Sequence, residues 1–366
     1  MQIEIEFLPV GSGAKSGDAI VLRYWDATVD RWRVMVVDGG YEVSGHDICE
    51  HIRRWYNTDF IDFVVGTHPD GDHLSGLKVV LSEMRVGELW LHVPEYHTPE
   101  IIHLFKSRRW LPENLQLALR QAFPNVTQLI ELAVAQGTKL NAPFQGRQIG
   151  LFTVMSPTRS MYDGLLPQFR ATPTPDRELL ATLGHWLKGI GKRVATATEM
   201  LVPEDWHTET LKDGGTTSAE NESSVVLYGR VGTRGGVLLT ADAGLKALEA
   251  VARYSNENGL AVGDDLWLFQ IPHHGSRNNV SPQALNYFIG PPVSEGTERE
   301  IKCIVSSAPD DLKHPRQVVV NALLRRGVAP TTTKEGALRY RNNMPARDGW
   351  GAVSPLTFKR NVEAYD

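Results

Sequence analysis

Four residues able to bind a metal ion fall within six consecutive positions of this chain: His68, Asp70, Asp72 and His73 in the stretch Thr67-His68-Pro69-Asp70-Gly71-Asp72-His73. In an extended segment, residues two apart point to the same side, so His68 and Asp70 can face one ion. Asp72 and His73 lie a step further on and are better placed to bind a second ion. The set mixes imidazole with carboxylate and has no thiolate. Imidazole suits zinc, whereas carboxylates shift the preference toward harder ions such as manganese. A carboxylate shared by two ions about 3.5–4 Å apart would make a hydrolytic centre in which a bound water loses a proton near neutral pH and becomes the nucleophile.

The elements around the cluster must position it. Phe60 to Val65 reads as a short buried strand, and Leu74, Leu77, Val80, Leu81 and Met84 recur at helical spacing. The ligands therefore sit where a strand ends and a helix begins, the place where ligands bind in α/β proteins. Three other strand ends offer candidates: Asp242 after Val237 to Thr240, His273 and His274 after Trp267 to Ile271, and His314 after Ile304 to Ser306. Pro69-Asp70-Gly71 is also an ordinary turn signal. An isolated histidine is more often a satisfied or surface residue, so His51, His92, His97, His103 and His185 are not assigned.

Residues 1–10, 19–25 and 33–37 read as early antiparallel strands with a glycine-rich turn at Gly11 to Gly17. That turn lacks the Gly-Lys-Ser/Thr ending of a phosphate-binding loop. Ser44-Gly45-His46-Asp47 has the form of a capping box opening a helix that carries Ile48, Ile52 and Trp55. Alternation of strand and helix then implies an α/β layer architecture. Residues 95–220 are the least regular, with helices expected at 101–109, 114–123 and 177–188 and a strand at 149–155. From 221 regular patterning returns, with strands at 224–228, 236–240, 265–271 and 301–306, helices at 245–254 and 318–326, and closing strands at 338–340 and 356–359.

The chain has 366 residues, 42% hydrophobic and 22% charged, with a formal net charge of −5. At about 150 residues per domain its length would allow two or three domains, though single folds run longer. The negative balance argues against broad non-specific adhesion to nucleic acid, which needs many cations on phosphates, but leaves room for a local basic groove. Cys49 and Cys303 are far apart and read as buried small residues. The N-terminus alternates apolar and acidic residues as a strand does, unlike a signal peptide. No apolar run is long enough to span a bilayer, so a soluble cytoplasmic protein is expected.

At this point the residues resemble a known family. His68-x-Asp70-x-Asp72-His73 is similar to the second motif of the metallo-β-lactamase fold hydrolases, with Asp70 where most members have histidine. That variant resembles the hydrolase domain of the bacterial competence protein ComEC and the related phosphorylcholine esterases. Gly17-Asp18-Ala19-Ile20, Val36 to Gly40, Asn221-x-x-Ser224, Leu238 to Asp242, Pro272 to Ser276, His314-Pro315 and Thr331 to Leu338 are similar to the family's other motifs, in the same order. The likeness covers 1–90 and 221–340 and hardly touches the middle.

The resemblance implies a single αββα sandwich spanning the chain, with 95–220 as an insert covering the active site. It implies two divalent ions, zinc or manganese. His68, Asp70 and the bridging Asp242 would hold one; Asp72, His73, Asp242 and one of the histidine pair, His274, would hold the other. His273 would stand behind the ions or touch a phosphate oxygen, Asp38 would support the site without binding metal, and His314 would face the substrate. Asn221 stands where most of the wider family has a histidine ligand. The implied activity is hydrolysis of a phosphodiester, with nucleic acid among the substrates. Hydrolysis of a lactam, lactone or thioester is a second expectation. A third is a metal-bound component of a bacterial defence or signalling complex, since some stand-alone relatives occur beside phage-defence components. The middle segment would then carry the partner surface, with Trp186 and Trp206 as anchors.

Overall fold

The computed structural model describes residues 1–11, 13–105, 110–176 and 200–365. Trp186, His185 and the helix expected at 177–188 lie outside the described residues.

Alternation of apolar side chains along the strands dictates the layers. In chain order, β1 (Ile3–Phe7), β2 (Ala19–Asp26), β3 (Arg31–Gly39), β4 (Phe60–Val65), β5 (Arg85–Trp90) and β6 (Lys139–Asn141) belong to one sheet. A second sheet contains β7 (Gln148–Ile149), β8 (Phe152–Ser156), β10 (Val226–Arg230), β11 (Gly236–Leu239), β12 (Leu266–Gln270), β13 (Lys302–Val305) and β14 (Thr331–Thr332), while β9 (Leu201–Pro203) lies outside both. The strand β15 (Leu338–Asn342) returns to the edge of the first sheet beside β1, and β16 (Asn361–Glu363) pairs with β9. The sheet orders are β15-β1-β2-β3-β4-β5-β6 and β14-β13-β12-β11-β10-β8-β7.

Along β2, Ile20, Leu22 and Tyr24 enter a core shared with Val154, Leu227, Leu239 and Ile304 of the other sheet. Ala19 and Val21 point the opposite way, into a core with the helices. In β3 the partition repeats, Met35 and Val37 on one side, Val34 and Val36 on the other. Each sheet thus buries one face on its partner and the other on helices, which is an αββα sandwich. On the outer face of β1 the alternation leaves Glu4 and Glu6, both fully buried. Arg23, Arg339 and Arg347 bond Glu4, while His51 and Tyr56 bond Glu6, so the buried charges are paired.

Pairing is parallel through β3-β4-β5-β6 and through β11-β12-β13-β14. These runs place the carboxyl ends of β3, β4, β11, β12 and β13 at one edge of the sandwich, where Val225 N donates to Thr67 O across the two halves at 3.0 Å.

Several expected boundaries move. The helix α1 spans Glu42–His51 with Tyr41 as its N-cap, so Ser44 is a buried residue inside the helix and not its cap. The middle stretch is more regular than its sequence implies: helices Pro112–Ala122 and Pro124–Gln136 abut at Phe123, and β6, β7 and β8 join the two large sheets. The stretch expected as a strand at 356–359 forms none; its Leu356 N donates to Pro330 O, and the strand comes later, at β16. Cys49 and Cys303 are buried and unbridged. Trp206 packs on Phe358. Among the described residues no helix is long and apolar enough to cross a membrane.

Candidate metal centre

The strand-to-helix junction after β4 opens the site. The following helix, α2 (Gly71–Glu83), is seated by glycine: a Cβ on Gly76 would lie 1.9 Å from Gly39 O, so only glycine allows the helix to touch the end of β3. That contact sets His73 against Asp38. The Asp38 carboxylate accepts from Thr67 N at 2.9 Å, from Thr67 Oγ1 at 2.7 Å and from His73 Nδ1 at 2.7 Å. Gly17 serves similarly, since a Cβ there would meet Asp72 O at 2.5 Å, and this brings Asp18 to the cluster.

The outer nitrogen of each central imidazole has a partner that fixes its tautomer, as assigned from the bonding network. His73 Nδ1 faces a carboxylate. His274 Nδ1 donates to Ser306 O at 3.0 Å. His68 Nδ1 lies 3.1 Å from Thr67 Oγ1, whose own hydrogen goes to Asp38, leaving the hydroxyl to accept. His273 Nδ1 meets Asn279 Oδ1 at 2.8 Å, and the Asn279 amide is oriented by its bonds to the Asp242 and Ala243 carbonyls. The rings of His68, His73 and His274 therefore carry hydrogen on Nδ1; at His273 the shorter contact, to the fixed Asn279 oxygen, outweighs the Asn221 Nδ2 donor 3.2 Å from Nδ1 and sets the same tautomer, so in the neutral form each ring directs its Nε2 lone pair inward.

Those lone pairs converge on one carboxylate. His73 and His274 approach Asp242 Oδ1 at 3.5 and 3.9 Å; His68 and His273 approach Oδ2 at 3.8 and 3.6 Å. These gaps exceed hydrogen-bond lengths. Ligand atoms held about 2.0–2.1 Å from a tetrahedral ion lie about 3.3–3.4 Å apart, close to the spacing here. The Nε2 atoms of His68, His73 and His274, Asp242 Oδ1 and both oxygens of Asp18 are buried with no hydrogen-bond partner. Buried lone pairs facing one another are costly unless a cation lies between them. The residues present fit divalent metal.

Groups whose ligand atoms lie together are His68, His73 and Asp242; Asp72, His73 and His274; Asp18, Asp242 and His274; and Asp18, Asp38 and His73. Thus His68, Asp72, His73, Asp242 and His274 are brought together, and Asp18 joins them, an acid named in the sequence only within the motif Gly17 to Ile20 and given no ligand role there. Asp70 is not brought in. Both its oxygens bond Arg170 Nη2, at 2.7 and 2.6 Å, and Arg170 Nε is held by Glu220 at 3.0 Å. Asp70 lines a neighbouring cavity of about 210 Å³ with Phe123, Asn125, Arg170 and Glu220.

Electrostatics follow the same pattern. Burial would push the Asp242 carboxyl up, but the imidazoles of His273, His73 and His274 hold it well below the usual carboxylate range. Burial lowers the basicity of His73, yet Asp242 and Asp38 raise its pKa well above the ordinary histidine value. Asp18 is pushed up by burial, only partly offset by His73 and His274. Backbone strain is gathered here too: Asp38, Ala241, His273 and His274 all have positive φ without being glycine. His314 lies at the edge, its ring stacked 6.1 Å from that of His273, with Nδ1 3.0 Å from Asp311 Oδ2. The other Asp311 contacts include Ser16 Oγ at 2.8 Å.

No protein-family model and no curated protein matches this sequence. Among solved structures the chain is similar to a diphosphatase of the PhnP family, at 11% identity and a TM-score of 0.37 over 93% of this chain and 98% of that one.

Proposed function

We propose that the chain is a metal-dependent hydrolase of phosphodiesters, built on two divalent ions, zinc or manganese, that share Asp242. The observation that carries this reading is the convergence of four imidazole Nε2 atoms on the two oxygens of that one buried carboxylate. His73, His274, Asp72 and Asp18 would hold one ion through the Oδ1 side, and His68 would approach the other through Oδ2. Bound there, divalent ions supply Lewis acidity and lower the pKa of water into the neutral range.

The protein's own groups do the rest. Asp38 and Ser306 O fix the ring orientation of His73 and His274, so the ligand atoms are preorganised. Asp311 holds His314 at the rim and would stabilise its imidazolium while it protonates a leaving oxygen. Burial, with help from nearby His274 and Arg316, opposes that charge and keeps the His314 pKa below the ordinary value. Lys334 Nζ donates to Asp311 O beside the same rim, and Lys313 and Arg316 flank His314 in the chain. Cations at this position suit a phosphate group, and the carboxylates Asp18, Asp72 and Asp242 of the ligand set suit ions that bind phosphoryl oxygen.

The test is turnover of a panel of DNA, RNA and small phosphodiesters by metal-stripped protein reloaded with manganese or zinc, with a chromogenic lactam as contrast. Phosphodiester hydrolysis that disappears with chelator is expected. Absence of turnover on every phosphodiester with metal demonstrably bound overturns the reading.

A further inference from the structure

We infer that His273 is a direct ligand of the ion on the Oδ2 side of Asp242, in the place the family resemblance gives to Asp70, and that Asp70 serves as the counter-charge of Arg170. This rests on the two-ion reading above and assigns its weaker half.

The geometry divides the four imidazoles evenly. Oδ1 faces His73 and His274, and Oδ2 faces His68 and His273 at 3.8 and 3.6 Å. Without His273, the Oδ2 side has one imidazole and one carboxylate oxygen, too few protein ligands for a closed or catalytic zinc site. His273 is also oriented as a ligand. Its Nδ1 hydrogen goes to Asn279 Oδ1, and Asn279 cannot rotate without losing two carbonyl bonds. Asn221 closes the outer side of the ring, its Nδ2 3.2 Å from the same nitrogen and its Oδ1 held by Ser218.

The backbone supplies an independent argument. Consecutive side chains of an extended strand point to opposite faces. His273 and His274 instead adopt φ of 48° and 57°, both left-handed, followed by Gly275 at 79°. Non-glycine residues held there are strained and cluster where function requires them. This turn is what lets two adjacent imidazoles face one carboxylate.

Asp70 is committed elsewhere. Arg170 bonds both of its oxygens and is itself fixed by Glu220, which also accepts from Arg170 N at 2.6 Å. Asp70 and His273 both stand outside the close ligand groups among the described residues, but His273 Nε2 lies 3.6 Å from Asp242 Oδ2, whereas both Asp70 oxygens are taken by Arg170 and none of the four inward imidazoles lines the cavity that Asp70 faces.

The experiment titrates metal-stripped full-length chain with zinc by calorimetry and measures metal retained after desalting, for the wild type, Asp70→Asn and His273→Ala. Cobalt absorption spectra report imidazole ligation independently of catalysis. Two equivalents are expected in the wild type. Asp70→Asn should keep both, with affinities changed less than about three-fold; His273→Ala should lose one, or bind it at least about a hundred-fold more weakly, with weakened cobalt bands. Should His273→Ala fail to fold, Asn279→Leu removes the Nδ1 acceptor, and about ten-fold weaker binding of one equivalent is expected. Loss of an equivalent in Asp70→Asn, or two unaltered equivalents in His273→Ala or Asn279→Leu, overturns this assignment and leaves the two-ion reading standing. A wild type that binds no ion overturns both.

Discussion

Two groups of histidines lie at the carboxyl ends of parallel strands, and only one is arranged around a carboxylate. The inner group, His68, His73, His273 and His274, has every Nδ1 engaged and every Nε2 turned toward Asp242. The second group, after β5, contains His92 and His97. His97 Nδ1 bonds Asp163 at 2.6 Å, and His92 is sandwiched between Phe144 and Tyr162 at 4.6 and 4.4 Å with neither nitrogen bonded. Apart from the partly exposed His273, both groups are buried, and both contain orphaned nitrogens. The inner one has a carboxylate facing those nitrogens; His92 has aromatic rings. Burial of an imidazole is thus no sign of a site, whereas lone pairs arranged around an anion call for a cation between them.

The largest effect should come from removing the shared anion. Asp242→Asn leaves four imidazoles with no bridging charge, and we expect loss of bound metal together with a fall in phosphodiester turnover of at least about a thousand-fold. Metal content and single-turnover rates measure it. Retention of two ions would break the contrast between the groups at its centre. Asp38→Asn comes next. Three donors converge on that carboxylate, and an amide can satisfy no more than part of them, so His73 loses its fixed orientation. Metal affinity should fall about 10–100-fold with the fold intact, read by calorimetry and circular dichroism. An affinity within about three-fold of wild type would show that His73 does not depend on its outer bond.

What the sequence makes legible divides along the same line. His68, Asp72, His73, Asp242 and His274 can be found because each directly follows or adjoins an apolar strand, and strand ends share an edge. The two-sheet core is legible through alternation in β2 and β3. Other features depend on contacts that spacing does not encode. Asp70 turns away because of Arg170, which lies in a stretch without readable motif and is 100 positions distant. His273 turns inward through a left-handed pair of residues that the strand before it does not announce. Asp18 enters the cluster because Gly17 lets the chain close on Asp72 O; the sequence marks it through the motif Gly17 to Ile20, an acid directly preceding the buried run Ala19 to Leu22, but spacing gives it no ligand role. Helix α1 starts at Glu42 because packing, which buries Ser44, outweighs the cap preference of that serine. The helix Pro124–Gln136 is hidden by a proline that reads as a breaker but occupies the first turn, where its missing N–H costs nothing.

The smallest effect concerns the outer group and tests the comparison from the other side. His92 is 5% exposed and its pKa is held well below the ordinary histidine value, first by burial, then by the charges of His97 and Arg159. It is therefore neutral in the folded protein at pH values where the unfolded chain begins to bind a proton. For such a group stability is fully present above the unfolded pKa, about 6.5, and is lost as pH falls below it, at up to about 1.4 kcal/mol per pH unit. His92→Phe keeps a ring between Phe144 and Tyr162 and removes the proton-binding site. The gap between wild type and variant in unfolding free energy should be nearly constant from pH 7 to 8. Below pH 6.5 it should shift in favour of the variant by about 1 kcal/mol for each unit, as followed by denaturant titration. Zinc content at pH 7.5 should be the same in both proteins. A parallel pH dependence would mean that His92 finds a proton acceptor when charged, and loss of zinc would make the two histidine groups parts of one site.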